Sequence, residues 1–373
     1  MNSQNDPMWH SLTQLLERGR DQGIYSAAVA LVGRHGELLW QGATGQTSRD
    51  QESPPVTLDT IFDLASLTKP LATTLALMLL ADQGLLSLST TLGEVITAPW
   101  LPADKRPLTL KSLLAHRAGL PAWRPFYEKV LAAPQTECPG LLARLASAES
   151  LEYTPETGTL YSDLGFMILQ AVMEKVSGQG LDAFCRRELY EPLGLSVLGF
   201  QPGLRLNMEQ FTWAATADPS TPGCPAIGEV HDDNARAAGG VAGHAGLFGT
   251  GPEVFTLTAL LYRAYQGQGE DLGISPAIVR QFLTPVAPGA RTPGFDVPTP
   301  GQSSAGRYFS PRSVGHTGFT GTSFWLDLEQ GQMVVLLTNR VHLDRDNAHI
   351  KAFRPRFHEA ASRALGITEP YRT

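Results

Sequence analysis

Cysteine is scarce in this chain: Cys138, Cys185 and Cys224 are the only three in 373 positions, widely spaced and without a C-x-x-C pair. An odd number at such spacing excludes a disulfide framework and suits a reducing compartment or simple burial. Clusters of lysine and arginine are also missing. With 29 basic against 36 acidic residues the net charge is −7, which argues against a nucleic-acid surface, since that needs a basic stripe. Long apolar runs are lacking too: LATTLALMLLA at 71–81 is too short, and too closely followed by Asp82, to span a bilayer. The N-terminal MNSQNDPMWHSLTQLLERGRDQG has no basic flank leading into an apolar stretch, so it does not read as a signal peptide. The chain as given therefore reads as cytoplasmic, or periplasmic if a signal was trimmed. G-x-S-x-G is absent, which disfavours an α/β-hydrolase esterase. No internal repeat or low-complexity tract is found.

What is present describes a globular enzyme-sized chain. Hydrophobic residues make up 42% and charged residues 17%. The length exceeds the usual ~100–200 residues per domain, so two domains or one with a large insertion are expected. Met8, Leu12, Leu15 and Leu16 share a helical face that ends at Gly23. SAAVALVG, HG and ELLWQGATG predict a β-hairpin over about 26–44. From about 81 to 200 the pattern is mostly helical, with LTLKSLLAHRAG ending on Gly119 and DLGFMILQAVMEKVSG as the clearest segment. Residues 199–250 are rich in Gly and Pro and predict a long ordered excursion. PEVFTLTALLYRAYQG and SPAIVRQFL predict helices, SFWLDLEQGQMVVLLTN a hairpin turning near Gly331, and 352–365 a closing helix. This order fits an α/β (α+β) fold. An antiparallel sheet built from both chain ends, 1–80 and 230–373, is flanked by helices and carries a mostly helical insertion at 81–229.

Three short segments carry chemistry. In DLASLTKPLA, Ser66 and Lys69 lie three apart and share a helical face. Pro70 costs a helix little only in its first turn, so Ser66 is expected at a helix N-terminus, where free N–H groups favour a developing anion. Burial and neighbouring positive charge would lower the pKa of Lys69 and let it take the serine proton. One S-x-x-K is expected by chance in a chain this long. In TPETGTLYSDLGF, Tyr161 stands just before a helix beside Asp163, as an acid/base candidate or, in the plainer reading, a core tyrosine next to an N-cap. In GHTGFTGTSFWLD, glycines around His316 and Thr317 let backbone approach a ligand closely. A strand edge there would supply one half of an oxyanion hole, and Ser66 the other. A histidine at 316 titrates near ~6.5 when unperturbed, within the working pH range.

The series IFDLASLTKPLATTLALMLLADQGLLSL, LTLKSLLAHRAGLP, TPETGTLYSDLGF, YEPLGL and GHTGFTGTSFWLD resembles the penicillin-binding protein and serine β-lactamase superfamily. The likeness is greatest to class C β-lactamases and related esterases and D-alanyl-D-alanine peptidases, and it covers most of the chain. It implies the β-lactamase/transpeptidase-like fold with the active site in a cleft between the two lobes. It also implies Ser66 as nucleophile, Lys69 as its proton acceptor or electrostatic partner, and Tyr161 as base and acid. His316 stands where the family has the lysine of a Lys-Thr-Gly triplet, followed by Thr317 and Gly318. The N–H groups of Ser66 and Phe319 would form the oxyanion hole. Asp163 stands where asparagine is common, and together with His316 it weakens recognition of a substrate carboxylate.

The expected reaction is hydrolysis of an ester or amide, including a β-lactam or D-alanyl peptide, through an acyl-enzyme on Ser66, with no cofactor and no metal. The substrate would be a small molecule and the protein a monomer or weak homodimer. Two other readings stand beside it: a catalytically weak relative that only binds penicillin or peptides, and a metal hydrolase using His231, Asp232, Asp233 and His244. The segment 228–250 that holds these groups lacks tight ligand spacing and reads mainly as an ordered loop lining the cleft. His342 and His349 read as polar contacts near a helix start.

Overall fold

The computed structural model describes residues 7–371 apart from 51, 135–139, 218–224, 270 and 288. Cys138 and Cys224 lie outside the described residues, as does part of the Gly/Pro-rich excursion; Cys185 is buried and unpaired. The first helix, α1 (Pro7–Asp21), buries Trp9, Leu12 and Leu16. Met8, expected on the buried face, is instead exposed. The hairpin β1 (Ala27–Arg34) and β2 (Glu37–Gly45) turns at His35 and Gly36, both at positive φ (54° and 82°). Two such residues match the right-handed twist of the flanking strands.

β3 (Phe62–Asp63) leads into the nucleophile segment, and its local form differs from the α-helical start that the sequence suggests. Ala65–Leu67 is a 3₁₀ turn, Lys69–Thr74 a π-helical turn, and only Leu75–Asp82, α2, is α-helical. Pro70 lies in the first turn of the π segment, where its missing N–H costs least. The helix α3 (Asp163–Ser177) begins after Ser162 and stops at Gly178, whose φ is 70°. The segment ending on Gly119 is helical only over Leu110–Leu114.

After the helical stretch the chain forms short strands. One of them, β4 (Leu247–Gly249), pairs with β3 on one side and with Gly199–Phe200 on the other. α4 (Gly251–Gln266) and a helix at Pro276–Phe282 follow. The chain then returns to the sheet as β5 (Ser313–Thr317), β6 (Ser323–Asp327) and β7 (Gln332–Thr338), and ends in α5 (His349–Ala364). The five-stranded sheet has the order β2-β1-β7-β6-β5, antiparallel throughout. Strands from both ends of the sequence thus share one sheet, with β5 at its edge.

Alternation along the strands sends side chains to two apolar layers. Val29, Leu31, Val335 and Leu337 face a core shared with α2, α3 and α4; Ala28, Ala30, Val334 and Leu336 face Leu12 and Leu16 of α1 and Phe353 and Phe357 of α5. On β5, His316 lies two residues from Val314, on the face of the larger core. That face turns His316 toward the start of α3.

Candidate active site

Three elements converge at Ser66. The nucleophile segment is bent sharply: Ala65 has φ 49°, a left-handed conformation uncommon outside glycine. Asp63 holds that bend. Its buried carboxylate accepts hydrogen bonds from Ala65 N–H and from His231 N–H, both at 2.8 Å. The first bond within the turn runs from Leu67 N–H to Leu64 C=O, so Ser66 N–H lies ahead of it, among the amides without an acceptor in the turn.

Lys69 is fully buried. Its Nζ donates to Ser66 Oγ at 3.1 Å and to His244 C=O at 2.9 Å, and lies 2.7 Å from Asp163 Oδ1. Burial favours the neutral amine, but Asp163 and Tyr161 outweigh it, and the Lys69 pKa is raised. The expectation of a lowered value is therefore reversed. Lys69 is an ammonium at neutral pH because the carboxylate at 163 stands against it.

Tyr161 has its hydroxyl in hydrogen-bonding reach of both Ser66 and Lys69. Burial raises its pKa and Lys69 pulls it down, with a net rise, so the phenol is protonated at rest. Its ring, partly exposed, is bordered by four groups. His116 lies 4.5 Å away between centroids, His316 5.9 Å, the Lys69 ammonium 5.1 Å and the Arg291 guanidinium 5.4 Å. Asp163 is not the N-cap of α3; that position is Ser162, and the Asp163 carboxylate is turned to Lys69.

His316 is buried. Its Nδ1 lies 2.9 Å from the Thr317 carbonyl, which can only accept, so Nδ1 carries the proton. Burial, Lys69 and Arg291 hold its pKa well below the ordinary histidine value. The titration expected near neutrality does not occur, and His316 is a neutral ring at the site.

After Thr317 the chain makes a tight turn against the nucleophile segment. Thr320 Oγ1 donates to Asp63 C=O at 2.8 Å and Thr322 Oγ1 to Leu64 C=O at 3.0 Å. Gly318 is required here, because a Cβ on it would lie 2.1 Å from Thr322 Oγ1 and 2.7 Å from Leu64 O. The Phe319 side chain is half exposed, stacked on His231 (5.6 Å) with the Arg340 guanidinium 4.5 Å from its ring.

Two residues that pack on Tyr161 escape the sequence reading. His116 sits at φ 58° just after a short helix, and its Nδ1 accepts from Ser162 N–H at 3.0 Å, fixing the backbone beside Tyr161. Arg291, from the Gly/Pro-rich passage, pairs with Asp296, which is bridged to Gly315 of β5. The sequence signal for His116 was its place at the end of a helical run; Arg291 had none. The segment 228–250 does border the site, through His231 N–H and His244 C=O. Asp232 takes the His244 ring N–H at 2.9 Å, and this contact draws its pKa below the ordinary value. Among the described residues no group of three or more His, Cys, Asp or Glu side chains is arranged to hold a metal ion.

The family model for beta-lactamase matches residues 12–354. The chain belongs to the beta-lactamase family. It is 30% identical over 347 residues to a putative D-alanyl-D-alanine carboxypeptidase of Escherichia coli O157:H7, covering 85% of this chain and 79% of that protein. It is also 30% identical over 360 residues to an N-acetylmuramyl-L-alanine amidase of Bacillus subtilis (strain 168), covering 88% and 80%. Among solved structures, a penicillin-binding protein homologue from Caulobacter crescentus superposes with a TM-score of 0.72 at 20% identity over 96% of this chain and 98% of that one. EstCE1, a hydrolase with promiscuous acyltransferase activity, superposes with 0.69 at 24% identity over 93% and 98%. This beta-lactamase family member is thus a hydrolase with the β-lactamase and penicillin-binding protein fold, as its sequence implied. No helix among the described residues is long and apolar enough to cross a membrane.

Proposed function

We propose that the protein cleaves an ester or amide through an acyl-enzyme on Ser66, with Lys69 and Tyr161 as its proton-transfer partners. The cleft would lie between a sheet lobe (1–80 and 230–373) giving Ser66, Lys69 and His316 and a helical lobe (81–229) giving Tyr161 and Asp163. The observation that carries this reading is the chain of contacts Ser66 Oγ–Lys69 Nζ–Asp163 Oδ1 at 3.1 and 2.7 Å. As Ser66 attacks the carbonyl, its proton passes to Lys69, which gives one of its own to Asp163. Tyr161, protonated at rest, hands its proton to the leaving group and regains it from the Lys69–Asp163 pair. The oxyanion would be met by the N–H groups of Ser66 and Phe319. Water then repeats the sequence on the acyl-enzyme.

Substrate binding would fall to Asp163, His316, Thr317, Gly318 and Phe319. A carboxylate at 163 and an uncharged ring at 316 disfavour a substrate carboxylate, so uncharged esters and amides are preferred over penicillin. The test is Ser66→Ala, with short-chain p-nitrophenyl ester turnover and fluorophosphonate labelling read by intact mass. Turnover and labelling should both be lost, with the thermal transition unchanged. Near wild-type turnover in the alanine variant would overturn the nucleophile assignment.

A further inference from the structure

Arg354 of α5 is 7% exposed, and among the described residues it has no ion pair. Its charged neighbour is another cation, Arg340. A buried guanidinium without a counter-ion is costly, so its contacts need an explanation. One guanidinium nitrogen, Nη2, donates to two carbonyls, Gly318 at 2.7 Å and Thr322 at 2.8 Å. These two residues close the turn after β5, since Gly318 N–H bonds to Thr322 C=O at 2.7 Å. Arg340 Nε fixes the next carbonyl, Phe319, at 2.8 Å.

The geometry matters because a trans peptide points its C=O and its N–H in opposite directions. The Gly318 carbonyl and the Phe319 N–H belong to one peptide. Holding the carbonyl on Arg354 turns the N–H away from α5, and the nucleophile turn is the neighbour Gly318 packs against, through Leu64 O and Ala65 Cβ. Gly321 N–H also donates to this carbonyl, at 3.1 Å, but Gly318 has no Cβ to resist rotation, so losing the shorter, charged bond from Arg354 leaves one neutral bond to keep the peptide from turning its oxygen to the site. We infer that Arg354 is a positioning residue that keeps the Phe319 N–H aimed at the oxyanion formed on Ser66 chemistry. Its uncompensated charge, lying behind that peptide, also favours the negative charge that develops there. The inference rests on the proposed roles of Ser66 and Phe319.

The test compares wild type, Arg354→Met and Arg354→Lys on a p-nitrophenyl ester and on its thionoester, in which sulfur replaces the carbonyl oxygen. A well-formed oxyanion hole discriminates between the two, and a packing defect does not alter that ratio. Arg354→Met should lose about 100-fold in kcat, the scale of one oxyanion donor, with KM within threefold and a reduced oxygen-to-sulfur ratio. Arg354→Lys, still able to donate to a carbonyl, should lose about tenfold with an intermediate ratio. A folded methionine variant with wild-type kcat, or a loss with an unchanged ratio, overturns the inference. If the methionine variant does not fold, the lysine variant decides: a reduced ratio at constant KM supports the inference and a wild-type ratio overturns it. Ser66→Ala run in parallel separates the two failures. If it keeps turnover, the site reading falls; if it is dead while the Arg354 variants behave as wild type, only the role of Arg354 falls.

Discussion

Lys69 is fully buried, and burial alone draws an ammonium toward neutrality. Asp163 at 2.7 Å reverses this and keeps the charge. The exchange of asparagine for aspartate at 163 was legible as a departure in the sequence, but its effect on Lys69 was not, because S-x-x-K spacing says nothing of what a distant helix start brings to the lysine. Asp163→Asn should let burial prevail and lower the Lys69 pKa, so that the amine becomes neutral as pH rises through its new value. Ester kcat/KM should then gain a further rising limb between about pH 7 and 9 that wild type lacks. With the negative charge gone, penicillin acylation relative to ester turnover should rise about tenfold, equivalent to ~1.4 kcal/mol. Both are read from initial rates and intact-mass acylation kinetics; if neither moves, Asp163 controls neither the lysine nor substrate charge.

The nucleophile turn is the element on which the site depends, and Asp63 is its clamp. Burial, opposed by the His231 and Ala65 N–H bonds and assisted by Asp232, raises the Asp63 pKa to about 6. Below that pH the protonated carboxyl loses acceptor capacity toward two amides, and the left-handed bend at Ala65 loosens. Of the histidines around the site, His116 and His316 lie well below the ordinary value and His231 is at about 4. An acid limb near pH 6 in kcat is assigned to Asp63 and should vanish in Asp63→Asn, which should be flat and low. Stability should respond with the opposite sign. A carboxyl whose folded pKa exceeds its unfolded value contributes most at low pH, and that contribution is lost as pH rises from about 4 through 6. The wild-type-minus-Asp63→Asn difference in Tm should shrink over that interval while kcat climbs. A limb that survives in the asparagine variant would assign it elsewhere. The sequence offered no sign of this clamp: in DLASLTKPLA only Ser66, Lys69 and Pro70 carry a reading, and the nucleophile segment is held by contacts with residues near 231, 247 and 320.

At the scale of the molecule, strand periodicity and the order of elements were enough to foresee a sheet made from both chain ends, because two-residue alternation is local. The groups that finish the site were less visible. His116, Arg291 and Arg354 lie in unremarkable surroundings in sequence, and only the closure of β5 against α3, the 284–306 passage and α5 brings them to the same place. That closure also bears on how the protein unfolds. One apolar core runs from Val29 and Leu337 on the sheet through Leu77 of α2 to Ile168 and Leu169 of α3, so the proposed sheet and helical lobes share a single interior. Two lobes with separate cores would melt independently, whereas a shared core couples them. Calorimetry should show one transition, with the calorimetric and van't Hoff enthalpies equal. Ile168→Ala, a truncation of a fully buried side chain in the helical lobe, should cost about 2–5 kcal/mol. It should shift that one transition downward without splitting it, and fluorophosphonate labelling of Ser66 should disappear at the same temperature. A second transition, or labelling that outlasts the loss of helical signal, would mean that the sheet lobe stands on its own.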